Sequence, residues 1–307
     1  MSLGPVRDAI GRLNTAATAL AALGAALDAR VSSRATARAL EPRVREVVAA
    51  LGLEGELDDV DVPELRALAA EIRTLTIVNA RLLDGASAEP RWAPTEPALM
   101  QAAGDTTARL AHVVAETIAP KLDGLAARLS SPGAAFLDVG VGVAALSIEM
   151  ARRFPELHVV GLDVWAPALA LARENVRAAG LDDRIELRER PAESMKDEAA
   201  FDLAWIPSLF VPEPALPGVL RAVARALRPG GWLLMPMLKA STDPLVTSVS
   251  RLRTAFWGGS AVGRDRLDAM LGASGLADVR VLPSPPIAST AMIAARALHA
   301  HGQSGAT

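Results

Sequence analysis

The stretch Ala134–Pro155, AAFLDVGVGVAALSIEMARRFP, constrains the fold of this chain more than any other. Phe136, Leu137 and Val139 form a short apolar run that ends in Asp138-Val139-Gly140-Val141-Gly142. From Ala144 the apolar positions take helical spacing, with Leu146, Ile148, Met150 and Phe154 among good helix formers. The order is buried strand, glycine turn, helix. Glycines at such a turn let the backbone come close to a ligand and aim free N–H groups at it, so the turn is a candidate ligand site.

Two classes of cofactor use a turn of this kind. Gly140-x-Gly142-x-x-Ala145 fits the dinucleotide fingerprint. Asp138-x-Gly140-x-Gly142 fits the shorter acidic turn of S-adenosylmethionine-dependent methyltransferases, with Ala144 where a third glycine is usual. The carboxylate favours the second. It would repel a pyrophosphate, whereas it can hold the cationic methionine end of S-adenosylmethionine. The turn alone does not decide between them.

The 307 residues are enough for two domains, and 51% hydrophobic residues are ample for their cores. A net charge of -3, with no basic patch interleaved with aromatics, predicts no nucleic-acid partner. The absence of cysteine excludes disulfides and zinc–thiolate sites and fits a reducing, cytoplasmic setting. The apolar run Ala16–Leu27 is shorter than the about 20 residues a membrane span needs, and Asp8 and Asn14 precede it, so no membrane segment is expected.

Residues 1–84 read as an all-helical N-terminal domain. Its first helix carries the stripe Val6, Ile10, Leu13, Ala17, Leu20, Gly24, Leu27, Val31, a heptad-like seam. Both internal packing and a homodimer seam suit it. A second helix is predicted over Ala35–Leu51, with Pro42 at its start or at a kink, and a third is capped by Asp61 and stops at Asp84-Gly85. Residues 85–130 read as a linker, Ala86–Pro97, and helices covering the ligand cleft. His112 and Glu116, spaced i, i+4, read as a polar helix face; they lack the third ligand a metal site needs.

Beyond the turn, apolar strands alternate with helices. Leu157–Asp163 ends in a carboxylate about 25 residues after the first turn, near the spacing that puts an acid on ribose hydroxyls. The competing reading is a strand-end aspartate that caps the helix opened by Pro167. Ile185–Arg188 and Phe201–Ile206 follow, then Leu227-Arg228-Pro229-Gly230-Gly231 turns into a fifth buried strand. The pattern predicts an α/β fold with a doubly wound, mostly parallel sheet over residues 131–307.

The ordered set DVGVG, GLDVW, DRIELRERPAES, FDLAW and LRPGGWLLM resembles class I S-adenosylmethionine-dependent methyltransferases from about Leu129 to Leu298. Val279–Leu282 and Ala288–Ala297 resemble the final antiparallel hairpin of that seven-stranded Rossmann-like fold, and Thr254–Gly259 its preceding insert. The resemblance implies S-adenosyl-L-methionine as cofactor. Asp138, Gly140 and Gly142 would hold its methionine end and Asp163 its ribose; Ala192 and Glu193 would flank the adenine, and Ile206 and Pro207 border the transfer site, while Val164 and Trp165 after the second strand are further cofactor-binding candidates, Trp165 lying against the adenine or closing the pocket rim. Pro191 stands where an adenine-side aspartate is common. Ile206-Pro207-Ser208-Leu209 replaces the D/N-P-P-Y/F signature of many amino- and base-methylating enzymes, and the histidine dyad of plant-type O-methyltransferases is absent. The reading is therefore a methyltransferase acting on a small-molecule acceptor, an O-methylation in secondary metabolism, without metal and with no identified base. Trp92, Trp205, Phe210, Phe256 and Trp257 are candidate pocket walls, the helical domain and residues 240–262 enclosing them. The other readings are an NAD(P)-dependent oxidoreductase, a non-catalytic binding protein on the same fold, and an interaction module built on the first helix.

Overall fold

The computed structural model describes residues 3–31, 39–82, 92, 94–239, 241–284 and 289–298. They divide into two compact units: residues 1–85 with 101–109, and residues 86–100 with 110–307. The segment read from sequence as a separate linker region is thus shared between the two. The predicted second helix extends at its start into residues outside the described ones, as does the expected stop at Asp84-Gly85.

The first unit is built on helices α1 (Gly4–Val31), α2 (Glu41–Ala50) and α3 (Val62–Arg81). Asp61 caps α3, its carboxylate accepting from the Glu64 N–H at 2.8 Å. Leu27, Val48, Leu57, Leu65 and Ala69 make the core. Gly24 lets α1 lie close on α3, since a Cβ there would stand 2.8 Å from Ile72 Cγ2. Asp28 pairs with Arg73, and Arg30 with Asp58 at 2.8 Å. Only the second half of the α1 stripe is used in this packing: Val6, Ile10 and Leu13 are 56–64% exposed. By length and composition α1 is able to cross a membrane, which the run Ala16–Leu27 is not.

The second unit holds a seven-stranded sheet in the order β3-β2-β1-β4-β5-β7-β6. Strands β1 (Ala135–Val139), β2 (His158–Asp163), β3 (Ile185–Glu189), β4 (Phe201–Trp205) and β5 (Leu227–Leu238) are parallel. Strand β7 (Thr290–Ala297) runs antiparallel between β5 and β6 (Leu276–Leu282). Helix α4 (Pro97–Val113) passes through a π turn, Val114–Ile118, and a 3-10 turn, Ala119–Lys121, before α5 (Leu125–Leu129). Its residues 110–113 and these turns pack on one sheet face with α6 (Ala145–Arg153) and α7 (Ala166–Ala178). Helices α8 (Leu216–Ala226) and α10 (Arg264–Ala273) cover the other face, and α9 (Pro244–Phe256) precedes α10. Side chains alternate across the pleat, so Phe136 joins the first core and Leu137 and Val139 the second. Strands apolar on both sides form the central layer of a three-layer α/β unit.

At the amino-terminal edge of the sheet, Asp202 is buried between two arginines. It pairs with Arg128 at 3.2 Å and with Arg228, and accepts from the Ala135 N–H at 3.1 Å. Arg128 also donates to the Pro229 carbonyl at 2.9 Å, so the arginines bind the start of β1 to the Arg228-Pro229-Gly230 turn. Asp202→Ala is expected to lower unfolding free energy by about 2–3 kcal/mol, because both guanidinium groups lose their buried partner. Chemical denaturation showing a loss below about 1 kcal/mol would contradict this assignment.

Candidate functional site

Between β1 and β4 the connections leave for opposite faces, α6 to one and α8 to the other, and at such a switch point the carboxyl ends of the strands open a crevice. The sequence-predicted residues converge there. Gly140, Gly142 and Ala144 all take positive φ, at 67°, 56° and 65°. Ala144 thus occupies the left-handed position that glycine fills at lower strain. The Val141 N–H donates to the Leu162 carbonyl at 2.9 Å, which lays the turn across the end of β2. Gly161 makes room for it: a Cβ there would meet Val141 Cγ2 at 2.6 Å. On the other side, a Cβ on Gly140 would stand 2.9 Å from Pro207 Cγ, so the turn and the segment after β4 touch.

Two carboxylates flank the turn. Asp163 receives three backbone N–H groups, from Gly142 at 2.9 Å, Val164 at 2.7 Å and Trp165 at 2.9 Å. It ties the glycine turn to the start of α7 and so does part of what a helix-opening aspartate would do. A carboxylate has about four acceptor positions, which leaves capacity for a hydroxyl. Asp138 is 2% exposed and accepts from the Ser147 hydroxyl at 2.6 Å. Burial pushes its pKa up to about 7, with the Ser147 bond opposing and the Asp163 charge adding to the rise. Burial also raises Asp163, against the pull of its three backbone donors.

Beyond β2, Val164 is exposed, whereas Trp165 is half-buried against Val143, Met100 and Ala168 and donates its indole N–H to the Pro94 carbonyl at 2.7 Å. Asn175 on α7 donates to the Val143 carbonyl at 2.9 Å, a second brace on the turn. After β3, Ala192 is buried and Glu193 is exposed on a 3-10 turn, Ala192–Ser194. The Arg190 N–H donates to the Asp163 carbonyl at 2.9 Å, joining the ends of β3 and β2. Ile206 is fully buried in the core on the α8 face, so its side chain packs the sheet and does not border the crevice; Pro207, half-buried, stands beside Gly140.

Of the five candidate aromatic walls, three meet. Phe210 stacks on Trp257 with ring centroids 4.5 Å apart, and Trp92 stands edge-on to them at 5.7 and 6.3 Å. Trp205 instead packs against the first-face core. A cleft next to the cluster is lined by Ser208, Met235, Met237, Ser260 and Val262, and the buried Ser260 hydroxyl has no partner among the described residues. His112 and Glu116 are joined at 3.0 Å and both meet Arg153, the last residue of α6, so they form the polar face expected of them. Among the described residues no three His, Asp or Glu side chains group as metal ligands.

Sequence reasoning missed Ser147, Gly161 and Asn175. Ser147 carried a faint signal, a hydroxyl on the otherwise apolar inner face of α6.

A three-layer α/β unit with an acidic glycine turn at its switch point defines the class: a Rossmann-like methyltransferase fold. Residues 136–231 match the family described as Methyltransferase domain, and that match agrees with the S-adenosylmethionine-dependent methyltransferase fold of the second unit. The release factor glutamine methyltransferase of Cereibacter sphaeroides is 31% identical over 193 residues, 53% of this chain and 60% of that protein. The ubiquinone biosynthesis O-methyltransferase of Paracidovorax citrulli is 32% identical over 132 residues, 42% of this chain and 52% of that protein. The chain thus spans little more than half the length of these relatives. Human N-acetylserotonin methyltransferase, solved in complex with SAM, shares the fold at a TM-score of 0.65 and 15% identity, over 97% of this chain and 99% of that one.

The residues fit the cofactor. A buried and a half-buried carboxylate, both with raised pKa values beside one turn, suit a ligand that brings positive charge and disfavour the pyrophosphate of a dinucleotide. The sign of the pH effect on the free protein follows. The folded chain keeps a proton on Asp138 that the unfolded chain has lost between about pH 4 and 7, so this group makes stability fall as pH rises through that window. Asp138→Asn is expected to flatten the fall in melting temperature between pH 5 and 8, measured without ligand. Equal slopes in the two proteins would place the titration elsewhere.

Proposed function

We propose that the chain transfers a methyl group from S-adenosylmethionine to an oxygen of a small-molecule acceptor. The observation that carries the proposal is the Asp138–Asp163 carboxylate pair at the glycine turn, the first buried and the second half-buried, next to Pro207 and an aromatic-lined edge. When bound, S-adenosylmethionine supplies an electrophilic methyl group on a good leaving group. The work left to the protein is alignment and exclusion of water. Asp163 receives the ribose hydroxyls, Asp138 faces the positive methionine end from behind the turn, and Ala192 and Glu193 flank the adenine. Val164 and Trp165 border the adenine from the end of β2, and Pro207 marks the transfer site.

Oxygen is favoured as the accepting atom on two counts. Ile206-Pro207-Ser208-Leu209 lacks the amide and aromatic groups of the amino-methylating signature, and the ubiquinone-biosynthesis relative is named an O-methyltransferase. The two described histidines are placed elsewhere: His158 opens β2 at the far edge of the sheet, and His112 is joined to Glu116 and Arg153. A cysteine-free chain suits the reducing cytoplasm.

Calorimetry is expected to show micromolar binding of S-adenosylhomocysteine and none of NAD or NADP. Asp163→Asn should weaken that binding about tenfold, or about 1.4 kcal/mol. Binding of NAD or NADP alone would overturn the assignment.

The exposed half of α1 supports a homodimer in which Val6, Ile10 and Leu13 meet their copies. Leu13→Glu is expected to convert a dimer into a monomer in light scattering, with S-adenosylhomocysteine binding retained. A wild-type monomer would remove this part of the reading.

A further inference from the structure

Two contacts of one short segment have no part in the cofactor reading above. The Pro94 carbonyl accepts the indole N–H of Trp165 at 2.7 Å, in the segment that follows β2. The Trp92 ring stands edge-on to Phe210 at 5.7 Å and to Trp257 at 6.3 Å. Phe210 belongs to the segment that follows β4, where its N–H donates to the Pro207 carbonyl at 2.8 Å. Strands β2 and β4 are the two neighbours of β1. Pro94 and Trp92 are thus held at the two strands that flank β1, beyond whose end the turn Gly140–Ala144 lies. A third contact follows along the chain, since Met100 packs with Val143 and Ala168 at the same turn.

The attachments differ in kind. On the β2 side there is a hydrogen bond backed by apolar packing, with Trp165 among the residues around Met100, Val143 and Ala168. On the β4 side there is an aromatic cluster, with the Arg253 guanidinium 5.9 Å from the Trp257 ring. The Trp257 indole N–H is buried and has no hydrogen-bond partner among the described residues. A buried donor left without a partner is unfavourable, so this attachment is the less settled of the two. Gly259 fixes where it sits: a Cβ there would fall 1.7 Å from the Leu209 carbonyl oxygen, so this turn seats directly on the segment after β4.

We propose that Trp165 and Trp92 are positioning residues for a strap, Trp92 and residues 94–100, that lies over the glycine turn and completes the cofactor site. Trp165 anchors the strap through its N–H, and Trp92 latches it to the transfer side. Bound cofactor lies beneath the strap, which lifts when the spent cofactor leaves. The strap also keeps water from the turn during transfer. Trp165 then acts chiefly through Pro94, and its ring need not stack on adenine. This rests on the assignment of the turn to S-adenosylmethionine.

The test is stopped-flow displacement of S-adenosylhomocysteine from the wild-type chain, Trp165→Phe and Trp92→Ala, with melting temperatures recorded for each. Phenylalanine keeps an aromatic ring and removes only the donor. Both variants are expected to release the ligand at least about five-fold faster, the equivalent of one ordinary hydrogen bond of about 1 kcal/mol, while association changes less. Once an acceptor is in hand, KM for S-adenosylmethionine should rise more than kcat falls, a split that general loosening of the fold would not produce. Release within about two-fold of wild type in both variants overturns the strap while leaving the cofactor assignment intact. A wild-type chain that binds no S-adenosylhomocysteine overturns both.

Discussion

The hydrogen bond from the Gly142 N–H to the Asp163 carboxylate, 2.9 Å long, is the contact on which the site depends. It joins the turn that ends β1 to the residue that ends β2, and the same carboxylate holds the first N–H groups beyond β2. The turn is thereby bent back over the sheet edge, with Gly161 clearing its path and Pro207 closing its other side. That bend has an electrostatic consequence. Asp138 is sealed beneath the turn with Ser147 as its one hydroxyl donor, and two carboxylates come to share a poorly solvated place. The pair is unfavourable in the free protein and becomes favourable beside a ligand carrying positive charge, so the turn selects a cofactor by sign before any shape is considered.

Much of the methyltransferase unit was legible in the sequence, because parallel strands buried on both faces read as continuous apolar runs and the glycine-rich turns punctuate them. The acidic end of β2 and the closing antiparallel pair fall where the pattern put them, whereas LRPGG, read as a turn before the fifth strand, is the irregular opening of β5 itself. Asp163 shows how two readings can both hold. It does tie down the start of α7, as a strand-end aspartate would, and it still stands at the crevice.

What the sequence did not show depends on contacts between distant residues. Ser147 shows in the sequence only as a hydroxyl on an apolar helix face; the register of α6 against β1 is what turns it toward Asp138. Ile206 was assigned to the transfer site by its place after β4, but alternation across the pleat sends its side chain into the core. The bond between Trp165 and Pro94 spans 71 residues and leaves no trace in periodicity. The unit boundary is similar, since helical pattern runs unbroken through α4 while residues 101–109 group with the first unit and the rest with the second.

The central claim is that the carboxylate pair is charged up by its ligand, and proton counting tests it most directly. Calorimetric titration with S-adenosylmethionine near pH 7, repeated in two buffers of different ionisation enthalpy, gives the protons exchanged on binding. With the Asp138 pKa at about 7 in the free protein, a positive ligand should draw the group to its ionised form and release a substantial fraction of one proton. The release should vanish in Asp138→Asn. Binding with no proton released, or with proton uptake, would contradict the claim.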